Sequence, residues 1–229
     1  VLTTLAHGQP DRVPINYSAN PGVDQRLKAH FGLDPKDGEG LRRALGVDFR
    51  GVHAAYKGPK RHADIPERGV RVDLWGIHRR LVKHASGQYW DYCDFPLRDA
   101  DEETVAAWPM PTADDYDYSG IRAACEANRE YAVVLRGGGC IINFAGFFRG
   151  MEQVFIDLIT DNPAGLLLID RFLSVQLEVY RRSLEAAKGT ETILVADDDE
   201  MVRQMVTSAL AMQGYRVITA RDGCEALEA

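Results

Sequence analysis

The stretch that most limits what this chain can fold into is Ile193 to Glu200, where four apolar residues end abruptly in four carboxylates. A short apolar run without alternation suits a parallel strand covered on both faces. The acids then fall where such a strand emerges, at the carboxyl edge of a sheet, where open α/β folds keep their ligand crevices. Like charges packed this closely repel, so they are tolerable when solvated and useful when a hard cation sits between them.

The residues after this stretch continue as β-α-β-α. Met201 to Gln213 places Val202, Met205, Val206, Ala209 and Leu210 on one helical stripe. Gly214 closes that helix, and Tyr215 to Thr219 is a second β-rich run. Asp222-Gly223 is a turn, and Cys224 to Ala229 begins another helix. In Glu191 to Glu200, in Gly214-Tyr215-Arg216-Val217 and in Ala220 to Leu227 the chain resembles the flavodoxin-like receiver domain of two-component response regulators. The resemblance covers 190–229. It implies a magnesium ion held in part by Asp197 and Asp198. That family's phospho-accepting aspartate lies at the end of the third strand, which these residues do not reach, so no phospho-acceptor is assigned. A solvated acidic loop is the plainer reading of Asp197 to Asp199.

Charge and cysteines exclude several classes. The net charge is −7. Segment 190–229 holds three Arg against eight Asp plus Glu, or −5, which leaves −2 for 1–189. Nothing in the sequence forms a basic stripe, so nucleic acid is not the expected partner. Cys93, Cys125, Cys140 and Cys224 show no C-x-x-C spacing, which argues against a disulfide framework and a zinc knuckle. No apolar run reaches membrane-spanning length and no signal peptide is evident, so the expected location is cytoplasmic, with no membrane partner. Val1 in place of Met reads as a fragment or a processed start.

Taken in order, the first 189 residues alternate strands and helices. Arg12 to Tyr17 is a candidate first strand, Pro21 to Phe31 and Gly38 to Leu45 are helices, and Val47 to Tyr56 reads as one strand. Val70 to Asp73, Ile77 to Lys83 and Gln88 to Tyr92 read as antiparallel strands. Helices follow at Asp101 to Trp108 and Tyr118 to Asn128, then a buried strand at Tyr131 to Leu135 and a glycine loop at Gly137 to Gly139. Ile141 to Phe148, Met151 to Thr160 and Pro163 to Lys188 are helices, the last with Leu166, Ile169, Leu173, Leu177, Tyr180 and Leu184 on one stripe. Repeated strand-then-helix order with a strand-rich insertion suggests an α/β barrel.

Several motifs sharpen this. Pro10 to Pro14, Asp73 to Gly76, Pro96 to Ala100, Trp108 to Pro111, Asp114 to Ser119 and Phe148 to Glu152 resemble the uroporphyrinogen decarboxylase superfamily, which includes corrinoid-linked methyltransferases. The resemblance implies a (β/α)8 TIM barrel, of which 1–189 would be about half. It also implies a tetrapyrrole or corrinoid-type small molecule as ligand, and decarboxylase or methyltransferase ancestry. Two departures weigh against decarboxylation. The family's arginine-bearing segment after the first strand is replaced by Tyr17-Ser18-Ala19-Asn20-Pro21. The family's tyrosine before Arg149-Gly150 is missing from Phe144 to Phe148. The methyltransferases' His and Cys ligands come from the other half of the barrel.

No catalytic residue is therefore assigned. Asn16 and Tyr17, at the end of the first strand, are candidate ligand contacts because barrel sites are built on that face. Asn143 and Arg149 could face the barrel mouth, and Arg149 could equally pair with Glu152. Gly137 to Gly139 lacks a following Lys-Ser/Thr and reads as a loop more readily than a phosphate cradle. The six histidines offer no i,i+4 pair for a metal. The expected architecture is an α/β partial barrel (1–189) followed by an incomplete receiver segment (190–229), joined at Gly189-Thr190. The functional expectation is a decarboxylase-like barrel fragment, inactive as it stands. The alternatives are a phosphorelay signalling protein or a truncated gene-fusion or assembly fragment. Homodimerisation is one way such a half-barrel could hide its sheet edges.

Overall fold

The computed structural model describes residues 1–5, 8–84, 87–135, 140–188, 193–196 and 217–220. In chain order the elements are α1 (Leu2–Leu5), α2 (Pro21–His30), α3 (Gly38–Ala44), β1 (Phe49–Val52), β2 (Ala55–Tyr56), β3 (Val70–Val72), β4 (His78–His84), β5 (Gly87–Tyr92), α4 (Glu102–Ala107), β6 (Tyr116–Asp117), α5 (Ile121–Ala127), β7 (Ala132–Leu135), α6 (Ile141–Arg149), α7 (Met151–Ile159), α8 (Pro163–Ala186), β8 (Ile193–Ala196) and β9 (Val217–Ala220). Helix starts follow local chemistry. The Asn20 side chain accepts from the Val23 amide at 2.9 Å, and Pro21 takes the first helical position, where no donor is needed. Asp37 and Asp101 cap α3 and α4 in the same way, accepting from Gly40 and Thr104.

The chain divides into two compact units, each assembled from separated segments. The first comprises 1–53, 119–136 and 183–229. Here β1 and β7 pair in parallel, Phe49 opposite Ala132 through Val52 opposite Leu135. β8 and β9 form a second parallel pair, Ile193 opposite Val217 through Ala196 opposite Ala220, and β8 neighbours β7. Alternation along β1 buries Arg50 and Val52 while Gly51 is exposed. The buried residues of this unit include Leu41, Val47, Val52, Ile121 and Cys125.

The second unit comprises 54–118 and 137–182. It holds the antiparallel sheet β3-β4-β5 and the short pair β2-β6. Its core gathers Trp75, Leu97, Val105, Phe144, Phe148, Val154, Leu168 and Phe172. Trp75 meets Phe144 and Phe172 edge-on, with ring centroids 5.2 and 5.1 Å apart. Such pairs add roughly 0.5–1.5 kcal/mol beyond the area they bury. Arg171 on α8 donates to the carbonyls of Val105 and Trp108, at the negative end of the α4 dipole. Gly150 separates α6 from α7 at φ 79, ψ 144, and a Cβ there would lie 3.0 Å from the Arg98 guanidinium. Gly76 (φ +93) lets the Trp108 ring approach to within 2.6 Å of where a Cβ would stand.

The class is thus α/β, with four small sheets and no closed barrel among the described residues. Two sequence expectations need correction. Arg12 to Tyr17 is not a ladder strand; the Asp48 amide, one residue before β1, donates to the Ile15 carbonyl at 2.9 Å. Val47 to Tyr56 is two strands. The chain leaves its parallel partner β7 after Val52, and β2 pairs antiparallel with β6. The three antiparallel strands and the long last helix are present as expected. Met201 to Gln213 and Cys224 to Ala229, read as helices, lie outside the described residues, as does Gly137 to Gly139.

Candidate functional site

In the first unit, a cleft of about 300 Å³ is lined by residues that include Asn16, Tyr17, Glu39, Arg42, His53 and Asn128. Its position is set by Asp48, one residue before β1. Arg12 grips that carboxylate with both terminal nitrogens, at 2.8 and 2.7 Å, and the Ile15 amide donates to it at 2.7 Å. Burial pushes the Asp48 carboxyl up, but the Ile15 amide and the Arg12 guanidinium together outweigh it and hold the group below the usual range. This anchor lays 12–17 alongside β1 and so carries Asn16 and Tyr17 into the cleft. The Asn16 side chain accepts from the Tyr17 amide at 2.8 Å, and the Tyr17 hydroxyl donates to Asp24 at 3.2 Å. Burial and the Asp24 carboxylate both raise the Tyr17 phenol, which keeps it a neutral donor.

The opposite wall is a charge network. Arg50, 4% exposed, holds Glu39 through Nε and Nη2 at 2.9 Å each and donates Nη1 to the Val47 and Phe49 carbonyls. Its guanidinium also lies 3.6 Å from the Tyr131 ring centre. Burial pushes Glu39 up, but Arg50 and then Arg43 outweigh it, so its carboxyl stays ionised below the usual range. Arg50 is therefore a clamp. Arg42 is held more loosely, 3.8 Å from Glu39 with its side chain 41% exposed. His53 follows the last residue of β1 and is exposed. A guanidinium, an imidazole, a phenol and an amide around a cleft of this size can bind a small carboxylate or phosphate. Among the described residues no group of three metal-ligating side chains is present.

The remaining sequence candidates fall elsewhere. Asn143 is exposed on α6 in the second unit. Arg149 is 2% exposed there and pairs with Asp157, not Glu152; Nη2 donates to that carboxylate at 3.1 Å and Nη1 to the carbonyls of Leu97 and Ala100. Four of its five donors are consumed inside the protein, so it joins the 97–100 turn to α6 and α7 and does not present a charge to a ligand. Asp197 and Asp198 lie outside the described residues. A second cleft, of about 420 Å³, is lined by Asp94, Phe95, Arg98 and Thr104, among others; Asp94 is already engaged by Arg68 at 2.7 Å and His78 at 3.1 Å. Sequence reasoning missed Arg42 and His53. His53 stands at the carboxyl end of a strand, a place that could have flagged it; nothing in the sequence singles out Arg42.

No protein-family profile matches the chain, and no solved structure matches it. A segment of 36 residues is 56% identical to response regulator RR06 of Streptococcus pneumoniae serotype 2. That match covers 16% of this chain and 17% of the regulator's length, so it supports a receiver-domain piece alone. Nothing in these comparisons bears on the decarboxylase resemblance of 1–189. Among the described residues no helix is long and apolar enough to cross a membrane.

Proposed function

We propose that 190–229 is the opening of a phosphorelay receiver, with Asp197 and Asp198 as magnesium ligands. The observation that carries this is the 36-residue match to a response regulator. The parallel register of β8 and β9 supports it, because both strands then end at one edge and Asp197 is the next residue in sequence after Ala196. The donor set fits the ion: carboxylate oxygens are the hard ligands that magnesium takes. Magnesium in a receiver neutralises charge on a transferring phosphoryl group. Asp197 and Asp198 would supply part of its cage and keep it at the sheet edge. Manganese serves as a paramagnetic substitute in the test. The 229-residue chain should reduce the free-manganese resonance signal, and Asp197→Asn with Asp198→Asn should abolish that effect. Equal binding by the double variant would sink the assignment. Treatment with a small phosphodonor should leave the chain unmodified, and a base-labile adduct on any residue of 197–199 would show that the roles are wrong.

A second reading concerns 1–189, as a scaffold of uroporphyrinogen decarboxylase type. It is supported by the parallel pairing of β1 with β7, Phe49 opposite Ala132 through Val52 opposite Leu135, the kind of pairing a barrel wall uses. At about 300 Å³ the Asn16–Tyr17 cleft is at the small end for ligand sites, so it would take one carboxylate-bearing arm of a tetrapyrrole. Incubation with uroporphyrinogen should give no decarboxylation above background. Uroporphyrin should perturb the Tyr17 environment in the wild type and not in Arg42→Glu. Identical titrations for the two proteins would defeat this reading, and turnover would overturn the expectation that the scaffold is inactive.

A further inference from the structure

The register of the β3-β4-β5 sheet gathers side chains that the sequence scatters. Arg71 lies opposite Arg79, and Arg79 opposite Tyr92; Leu81 faces Trp90 and Lys83 faces Gln88. With side chains alternating along each strand, all seven residues share one face. The other face carries Val70 and Val72, both buried, together with Asp91, the only carboxylate within the three strands. The Arg71 guanidinium sits 4.3 Å over the Trp90 ring centre. Tyr92 is 40% exposed and is supported by Phe147, 4.8 Å away between ring centres. Arg71, Lys83 and Gln88 are exposed. Asp73 is 3.7 Å from Arg79 and accepts from the Trp75 and Ile77 amides.

We propose that this face binds single-stranded nucleic acid, with Trp90 and Tyr92 as stacking platforms and Arg71, Arg79 and Lys83 as phosphate contacts. The proposal is independent of both readings above. Trp90 and Tyr92 stand two residues apart on one strand, roughly 6.8 Å; Tyr92 offers an exposed ring, and the half-buried Trp90 carries the Arg71 guanidinium, itself a planar surface on which a base stacks. Every base has a face that stacks on such rings, and the cations beside them track a backbone without reading sequence. A lipid surface fits worse. Apart from the rings, the only apolar side chain on this face is the half-buried Leu81, which leaves nothing to enter an acyl layer. The sequence alone shows no basic stripe and so does not predict nucleic acid as a partner. Strand pairing puts the cations at 71, 79 and 83 on one face of the sheet.

The test uses the full chain and a fluorescein-labelled oligothymidine of about 12 nucleotides, read by anisotropy at roughly 50 mM salt. Saturable binding is expected. Its logarithm should fall with the logarithm of salt at a slope of about −2, near 0.7 for each of three cations. Arg71→Glu with Lys83→Glu should weaken binding by at least about tenfold, whereas Lys36→Glu, on an exposed turn in the other unit, should leave it unchanged. Trp90→Leu should weaken it too, with circular dichroism confirming the fold. If that variant does not fold, the two charge reversals on exposed residues still decide the matter. Absence of saturable binding, equal binding of a base-free oligomer, or indifference to the double charge reversal would overturn the proposal. Preferential sedimentation with phosphatidylglycerol vesicles would overturn it as well and assign the face to a membrane.

Discussion

Arg149 shows how far a single side chain can be read before its partner is known. The sequence offers it as a barrel-mouth residue or as a partner for Glu152, three residues on. Its actual partner, Asp157, is eight residues away across the α6-α7 break, beyond any i,i+3 or i,i+4 rule. Both side chains are almost fully buried, so removing one leaves an unpaired charge in the core. Arg149→Met should lower unfolding free energy in urea by about 3–5 kcal/mol, while Glu152→Ala should stay within about 0.5 kcal/mol. Asp48 sets an acid limit instead. Its folded carboxyl lies below the ordinary 3.8, so its contribution is complete above that value and is lost as pH falls through the lower folded one. Denaturant midpoints followed from roughly pH 5 to pH 2 should fall less steeply in Asp48→Asn than in the wild type. The sequence offers Asn16 and Tyr17 as the end of a strand that does not form; they line the cleft because Arg12 and the Ile15 amide tie 12–17 to Asp48. Arg42 was not legible, since its approach to the cleft depends on α3 being pinned to β1 by the Arg50–Glu39 pair.

Among elements, those with a long local pattern were the readable ones. The stripe on α8 and the alternation and breaks in β3 to β5 are visible in any window that contains them. The division of Val47 to Tyr56 was not visible. Its apolar character runs on past His53, and only the change of partner from β7 to β6 ends the first strand. The junction of α6 and α7 depends on one backbone conformation. Gly150→Ala places a side chain at φ 79 and against Arg98, and should cost about 1–3 kcal/mol by chemical denaturation. Unchanged stability would mean that the two helices can rejoin through another geometry.

At the scale of the whole molecule, the receiver resemblance was readable because its motifs are local and crowded into a few dozen residues, and a 36-residue match to a response regulator supports it. The barrel expectation was harder to read. Closure is a property of strand pairing around a ring, and the described strands form four separate small sheets. Residues 190–229 expressed alone should be largely unfolded, since a segment of about 40 residues buries too little apolar surface to offset chain entropy. A cooperative melt with protected amides in Ile193 to Ala196 would make that segment a domain in its own right. The two units raise a different issue, the order in which a ribosome releases their parts. The second unit has all its own chain once residue 182 has emerged, whereas the first waits for 183–229 to join 1–53 and 119–136. Contiguous domains mature from the amino end onward. Here the amino-terminal segment begins the unit that is completed last. Its β1 waits some eighty residues for β7, so until then a nascent chain carries an unpaired strand edge, the kind of surface that chaperones hold.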